Sequence, residues 1–175
     1  MSLWAIGKAL EIFVIFCGSF SKMLFPALRM GFLVVPTHLI DPLCAARSIV
    51  DRYGPMVAQA VLCDFITEGH FGRHLRRMRE VYAEHLDVLL TAARSEWGDR
   101  LTLQSTDTGL QTVAWLSKGL GDVEFARAAN GRGVEVGALS EYALNWKVRN
   151  GLQIGFASVG LAELRRGVRA IAKLL

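Results

Sequence analysis

Two short apolar runs near the N-terminus constrain the fold more than any other feature of this 175-residue chain. Residues 11–17 read EIFVIFC and residues 31–36 read GFLVVP, and the runs are closed by Gly18 and Pro36 respectively. Neither run alternates polar with apolar residues, a pattern typical of strands that are covered on both faces of a sheet. The runs therefore predict an α/β architecture rather than a half-exposed antiparallel meander.

Helical periodicity replaces these runs from Pro42 onward. Two helices are predicted within residues 43–54 and 55–71, the second with a proline at its start and a glycine near its end. A long amphipathic helix is predicted from about Phe71 to Trp97, because its apolar residues recur three or four positions apart.

Strands and helices alternate in the last third of the chain. Strands are predicted at 101–104, 109–116, 134–136 and 152–157, and helices at 122–133 and 161–175. This alternation after one long helix predicts a small α/β lobe that follows part of a larger domain.

Composition and charge indicate an ordered globular protein of the cytoplasm. The chain is 52% hydrophobic and 21% charged, and its net charge of +4 is too mild to predict nucleic-acid binding by itself. The three cysteines form no CxxC pair, which favours a reducing compartment. The uninterrupted apolar stretch Ile12–Cys17 is too short to span a bilayer, so we predict neither export nor a membrane partner.

The candidate chemistry lies between the two apolar runs, where Lys22 follows the first and Arg29 precedes the second. A lysine amine attacks a carbonyl carbon in its neutral form, and burial beside a strand is one way to favour that form. An arginine fork suits a phosphate, and Ser19 and Ser21 add hydroxyl donors. An amine that can react with an aldehyde and cationic donors that can bind a phosphate match the two functional groups of pyridoxal phosphate. The alternative is that both cations are ordinary polar residues at strand ends.

The segment GSFSKMLFPALRMGFLVVP, residues 18–36, closely resembles the cofactor-lysine segment of fold-type I pyridoxal-phosphate proteins. The resemblance is specifically to the aminotransferase-like domain of the MocR branch of GntR-type transcriptional regulators. Further landmarks follow in the same order and extend the resemblance over residues 12–175. They are QAVLCDFITEGHFGRHLRRMREVYAEHLDVL, DTGLQTVAWL, GVEVGALSEY and GLQIGFASVGLAELRRGVRAIAKLL.

The resemblance implies roles for the candidate residues. Lys22 is expected to form the internal aldimine with pyridoxal 5'-phosphate, and Arg29 with Ser19 is expected to hold the phosphate, with Ser21 as a further candidate. In a working aminotransferase of this fold an amino-acid substrate displaces the lysine, which then moves the α-proton. In MocR-type regulators the same chemistry serves to sense an amine or the cofactor.

The resemblance also implies an aspartate aminotransferase-like fold and a domain organisation. Residues 1–69 are expected to be the end of the large cofactor-binding domain, and residues 70–175 the long helix with the small C-terminal α/β domain. A complete protein is expected to form a homodimer and to bind DNA only through a winged helix-turn-helix domain that this chain lacks.

The sequence predicts an N-terminally truncated domain, since too little chain precedes the first strand to build its neighbours. The family's glycine-rich phosphate loop, stacking aromatic residue and pyridine-pairing aspartate all belong upstream. We therefore expect the isolated chain to bind pyridoxal phosphate weakly and not to transaminate at a useful rate.

Two positions depart from the family pattern and leave the substrate class open. Gln153 stands where many aminotransferases carry an arginine that grips the substrate carboxylate, and Gln111 stands where the regulators often have histidine. Arg149 is a possible substitute cation, although a surface arginine is the more ordinary interpretation.

Other constellations predict little chemistry. His70 and His74 have the spacing of helical metal ligands, but their cationic neighbours and the lack of an intervening acid argue against a metal site. Ser140 and Tyr142 in LSEY are expected to form a turn with ordinary packing.

Three functional hypotheses follow. The first is a pyridoxal-phosphate-binding, aminotransferase-like fragment of a MocR/GntR-type regulator. The second is a fragment of a free-standing class I/II aminotransferase. The third is an inactive truncated lobe with exposed core surface.

Overall fold

The structure is a computed structural model that describes residues 14–52, 54–146 and 148–175. The chain divides into two compact units, Met1–Leu75 and Arg76–Leu175. The boundary falls within one long helix. Residues 11–13, with which the predicted strand and the apolar stretch weighed as an export signal begin, lie outside the described residues.

The first unit contains a two-stranded antiparallel ribbon of β1, Phe16–Ser19, and β2, Gly31–Val34. The ribbon is followed by the 3₁₀ helix Thr37–Leu39 and then by helices α1, Ile40–Val50, and α2, Met56–Thr67. Gly69 adopts a φ of 77° between α2 and the next helix. Glycine reaches this left-handed conformation without steric cost, which explains why α2 ends where the sequence predicts.

The prediction that both strands are fully buried is wrong for this chain. Most side chains of β1 and β2 are exposed, Leu33 at 54% for example, and α1 and α2 bury no residue. The reason is that a two-stranded ribbon cannot cover its own faces, and no layer covers them within the part of the chain that the structure describes. The strands of the ribbon thus have the apolar composition of strands inside a sheet, although no other layer packs on them among the described residues.

The second unit is built on a four-stranded antiparallel sheet. Its strands are β3, Leu101–Leu103, β4, Gln111–Leu116, β5, Gly137–Ala138, and β6, Gly151–Gly155, in the order β3-β4-β6-β5. Helix α3 is His70–Trp97, and helices α4 and α5 are Asp122–Asn130 and Leu161–Ala172. The predicted strand at 134–136 is absent, because pairing with β6 begins only at Gly137.

The second unit has a continuous apolar core. Helix α3 contributes Leu86, Leu89, Ala93 and Trp97, whose spacing of three or four residues places them on one helical face. The Trp97 Nε1 donates a hydrogen bond of 2.9 Å to the buried carbonyl oxygen of Val168 in α5. Packing and this satisfied indole together fix α3 against the closing helix.

Candidate functional site

The four predicted site residues lie at one end of the ribbon, one at the end of β1 and three in the loop that joins β1 to β2. Ser19 is the last residue of β1 and pairs with Gly31 at the start of β2. The Phe20 N–H donates to the Met30 carbonyl oxygen at 3.0 Å and closes the loop. Ser21, Lys22 and Arg29 lie within this closed loop, hereafter the hairpin loop, residues 20–30.

Lys22 sits in a tight turn at the start of the hairpin loop. The N–H groups of Met23 and Leu24 both donate to the Phe20 carbonyl oxygen, at 3.1 and 2.8 Å. The Lys22 side chain is exposed rather than buried as the sequence predicts, because β1 lacks a covering layer. Among the described residues no carboxylate pairs with its amine. The amine is therefore accessible to a ligand.

Ser19 and Ser21 are linked locally. The Ser21 N–H donates to Ser19 Oγ over 3.2 Å. A hydroxyl that accepts through its oxygen still has its own hydrogen to donate. Ser19 can thus offer an O–H donor to an anion at this end of the ribbon.

Arg29 has an unusual backbone for its residue type. It ends the 3₁₀ helix Pro26–Leu28 with φ 50° and ψ 33°, and its N–H donates to the Pro26 carbonyl oxygen at 3.2 Å. It is the only described non-glycine residue with positive φ. The left-handed conformation costs a residue with a Cβ roughly 1–2 kcal/mol. The Arg29 side chain is exposed.

The ribbon beneath the hairpin loop is closely packed at one glycine. A Cβ built on Gly31 would lie 2.7 Å from the backbone oxygen of Gly18, which has no side-chain freedom to move away. Only glycine at position 31 therefore lets the two strands approach at this distance.

A histidine holds the Lys22 turn in place. His74 Nε2, on α3, lies 3.0 Å from the Met23 carbonyl oxygen, to which it donates when that nitrogen carries the proton. Phe71, one turn earlier, meets the Phe20 ring edge-on with centroids 5.9 Å apart. Sequence reasoning missed this role, because the partner of His74 lies 51 residues away and leaves no local signal.

The two histidines that have metal-ligand spacing serve different partners. His70 Nε2 is 3.1 Å from Glu68 Oε2, and its Nδ1 is 2.8 Å from the Arg73 guanidinium. His74 turns to the hairpin loop instead. The helical spacing of the pair thus reflects two separate structural contacts.

A second polar cluster lies in the second unit and involves the positions that depart from the family pattern. Tyr142 donates from its hydroxyl to Gln153 Oε1 at 3.0 Å, and Gln153 Nε2 donates to Gln111 Oε1 at 2.7 Å. These three residues line the edge of a hollow of about 820 Å³. Arg149 is engaged elsewhere, because its guanidinium carbon lies 5.0 Å from the centre of the Trp115 ring.

Asp122 organises the backbone around this cluster. Its carboxylate accepts hydrogen bonds from Ser140 N at 2.9 Å, Ser140 Oγ at 2.7 Å and Gly151 N at 3.3 Å, and the residue is only 2% exposed. Burial alone would raise the pKa of Asp122, but these hydrogen bonds outweigh it and hold the pKa below the usual 3.8. Asp122 thereby ties the turn Leu139–Tyr142 to the start of β6, so Ser140 does more than ordinary packing.

Comparison with known proteins identifies relatives over nearly the whole chain. The family model for aminotransferase class I and II matches residues 5–171. The probable rhizopine catabolism regulatory protein MocR of Rhizobium meliloti is 39% identical over 158 residues, which cover 90% of this chain and 32% of that protein. The 2-aminoadipate transaminase of Thermus thermophilus is 29% identical over 93% of this chain and 41% of its own length. The chain thus spans less than half the length of these relatives.

Solved structures agree with these matches. The crystal structure of LysN, an α-aminoadipate aminotransferase from Thermus thermophilus, superposes with a TM-score of 0.86 at 28% identity, over 98% of this chain and 44% of that one. It is complexed with N-(5'-phosphopyridoxyl)-L-leucine. The predicted aspartate aminotransferase-like fold and the predicted resemblance to MocR-type regulators are confirmed.

No described helix is long and apolar enough to cross a membrane.

Proposed function

Because this chain belongs to the aminotransferase class I and II family, we propose that it is the C-terminal part of an aminotransferase-like regulatory domain that binds pyridoxal 5'-phosphate through Lys22. The 39% identity to a MocR regulatory protein supports the regulator branch. The regulator function belongs to a longer protein, whose DNA-binding domain we place outside this chain. The complete protein is proposed to act as a homodimer.

The observation that supports the proposal is that four residues with donor side chains lie in or beside one short loop at one end of the ribbon. The hairpin loop presents an unpaired amine at Lys22 and a guanidinium at Arg29, and Ser19 and Ser21 add hydroxyls. An amine fits an aldehyde carbon, and guanidinium with hydroxyl donors fits a phosphate dianion. The residues present therefore suit both reactive ends of the cofactor.

Each residue has a distinct role in this proposal. Lys22 would supply the amine that condenses with the cofactor aldehyde with loss of water, and His74 fixes the turn from which Lys22 projects. Arg29 and Ser19 neutralise and hydrogen-bond the phosphate, with Ser21 as a further donor. When bound, pyridoxal phosphate supplies an electron sink for chemistry at the carbon that bears a ligand's amino group.

The ligand is proposed to be an amino acid or an amine, and Gln153 favours the amine. A neutral amide cannot make the charge-assisted, bidentate contact that an arginine makes with a carboxylate. Both polar atoms of the Gln153 side chain are already engaged by Tyr142 and Gln111. An uncharged side chain at position 153 offers a carboxylate no attraction between opposite charges.

Residues 1–69 are proposed to belong to the large cofactor-binding domain of the complete protein, and residues 70–175 to its small domain. The second candidate function is part of a free-standing aminotransferase, which the superposition with LysN favours. The two candidates share the cofactor site and differ in whether a helix-turn-helix domain is joined to it.

Covalent trapping tests the site directly. The chain is incubated with saturating pyridoxal phosphate, reduced with borohydride and mapped by peptide mass spectrometry. Reduction captures even a weakly populated adduct, so the weak binding expected for the isolated chain does not defeat the test. We expect the phosphopyridoxyl mass on the peptide that contains Lys22, and loss of that label in Lys22→Ala.

Lys118→Ala is the matched control, because Lys118 is also exposed and lies in the second unit. It is expected to leave labelling at Lys22 intact. Arg29→Gln is expected to weaken labelling by pyridoxal phosphate but not by pyridoxal, which lacks the phosphate. Preferential labelling of any other lysine would overturn the assignment.

A further inference from the structure

A basic hollow lies in the second unit, and nothing in the proposed cofactor site uses it. It encloses about 440 Å³ and is lined by Arg132, Arg166, Arg169, Ala170 and Lys173. Four of these five residues are cations. We propose that this basic hollow binds an anion that carries several phosphate groups.

Two separate elements bring the cations together. Arg166, Arg169 and Lys173 are three and four residues apart in α5 and at its end, which places them on one helical face. Arg132 comes from the turn after α4, where its N–H donates to the Ala129 carbonyl oxygen at 2.9 Å. A basic helix end alone can be explained by the favourable interaction of cations with the helix C-terminus. That effect does not explain Arg132.

The positive charge of the basic hollow is only partly compensated. Glu163 Oε1 lies 3.2 Å from Arg166 Nη2, and Glu96 Oε1 lies 3.6 Å from Arg169 Nε. Both pairs are exposed, and such pairs are worth only about 0–1 kcal/mol. In the described part of the chain, Arg132 and Lys173 have no carboxylate partner. A polyanion can therefore bind Arg132 and Lys173 directly and replace the weak ion pairs of Arg166 and Arg169.

The chemistry of the lining favours phosphate over carboxylate. Three of the four cations are arginines, whose planar forks donate two parallel hydrogen bonds to phosphate oxygens. A carboxylate ligand would only repeat the contacts that Glu163 and Glu96 already make. The phosphates can come from a nucleic-acid backbone or from a free polyphosphate, and both present the same oxygens to the hollow.

Fluorescence anisotropy with a labelled duplex of about 20 base pairs and arbitrary sequence tests the proposal on this chain, with inorganic triphosphate as a competitor. Four phosphate contacts predict a slope of log affinity against log salt of about −3.6, since each contact contributes about −0.9. The double variant Arg132→Gln with Arg166→Gln is expected to halve the slope to about −1.8. Arg100→Gln with Lys118→Gln removes the same charge outside the hollow and should leave the slope unchanged.

Glu163→Gln is the sharper variant because it should strengthen binding. It frees Arg166 from its carboxylate, and an exposed pair of this kind predicts a gain of about two- to five-fold. A variant that merely damaged the fold would weaken binding instead. Lys22→Ala should change nothing, which separates this proposal from the cofactor site.

The outcomes divide clearly. Competition by triphosphate at low concentration identifies a free polyphosphate as the source, and binding of the duplex without such competition identifies a nucleic-acid backbone. Either result supports the basic hollow if the variants behave as stated. Equal affinity for poly-glutamate, loss of binding in Glu163→Gln, or an unchanged slope in the double arginine variant would overturn it.

Discussion

The two units use similar apolar residues to very different effect. Every member of the buried core cluster lies in the second unit, whereas the ribbon and helices of the first unit leave Phe16, Leu33, Val34 and many others exposed. The second unit folds a sheet against helices α3 and α5, so each apolar face has a partner. The first unit has strands and helices of comparable composition without a covering layer. Burial therefore depends on which layers are present and not on residue type alone.

The largest expected effect tests the contrast in burial between the two units. Leu152 is 0% exposed and Leu33 is 54% exposed, so the same Leu→Ala change probes both units. Leu152→Ala should lower the free energy of unfolding by about 2–5 kcal/mol, because it loses buried apolar contacts and leaves a cavity. Leu33→Ala should change it by less than about 0.5 kcal/mol.

Urea unfolding followed by circular dichroism measures both variants. Equal destabilisation by the two substitutions would contradict the contrast between the units.

Asp122 sharpens the comparison, because its buried carboxylate stabilises only the second unit. Its pKa is lowered in the folded state, so its contribution is fully present above the unfolded pKa and is lost as the pH falls through the folded value. We expect the unfolding free energy of the second unit to decline below about pH 4. Asp122→Asn should cost about 2 kcal/mol at neutral pH, since charge-assisted hydrogen bonds are lost.

A pH series of urea melts on both proteins tests this assignment. The variant should have a flatter acid limb than the parent chain. An identical acid limb in Asp122→Asn would show that other carboxylates govern the decline.

The smallest expected effect concerns the first unit. His74→Ala removes the hydrogen bond to the Met23 carbonyl oxygen and should destabilise the Lys22 turn by about 1 kcal/mol. Hydrogen exchange at the Met23 and Leu24 amides should then become about five-fold faster. His70→Ala is the matched control, because His70 contacts Glu68 and Arg73 rather than the hairpin loop.

Exchange rates are measured by NMR under conditions in which opening and closing are fast compared with exchange, so that each rate reports the opening equilibrium. Equal rates in the two histidine variants would mean that His74 does not hold the turn.

Much of the fold could be predicted from the sequence because periodicity records burial. Helices α3 and α5 follow apolar residues spaced three or four apart, and β4 buries alternate residues such as Thr112, Ala114 and Leu116. The strand predicted at 134–136 failed because Val136 is apolar and buried but not paired in the sheet. A short apolar run indicates burial more reliably than it indicates strand pairing.

The candidate site was predictable in part. The order Ser19, Ser21, Lys22 and Arg29 is a local feature, and the structure places all four at one end of the ribbon; their roles remain a prediction. The anchor at His74 and the carboxylate of Asp122 were not predictable, because their partners are distant in sequence or depend on a turn. The exposure of Lys22 was also missed. An apolar run indicates that a strand can be buried, but it does not show whether another layer covers that strand.

The backbone of Arg29 bears on how this segment can evolve. Glycine or asparagine would adopt the same left-handed conformation at less cost, so selection for folding alone would favour replacing the arginine. The chain nevertheless keeps a long cation there and tolerates the strain. If Arg29 binds the cofactor phosphate as proposed, Arg29→Asn should lose ligand binding and gain stability in the same mutant.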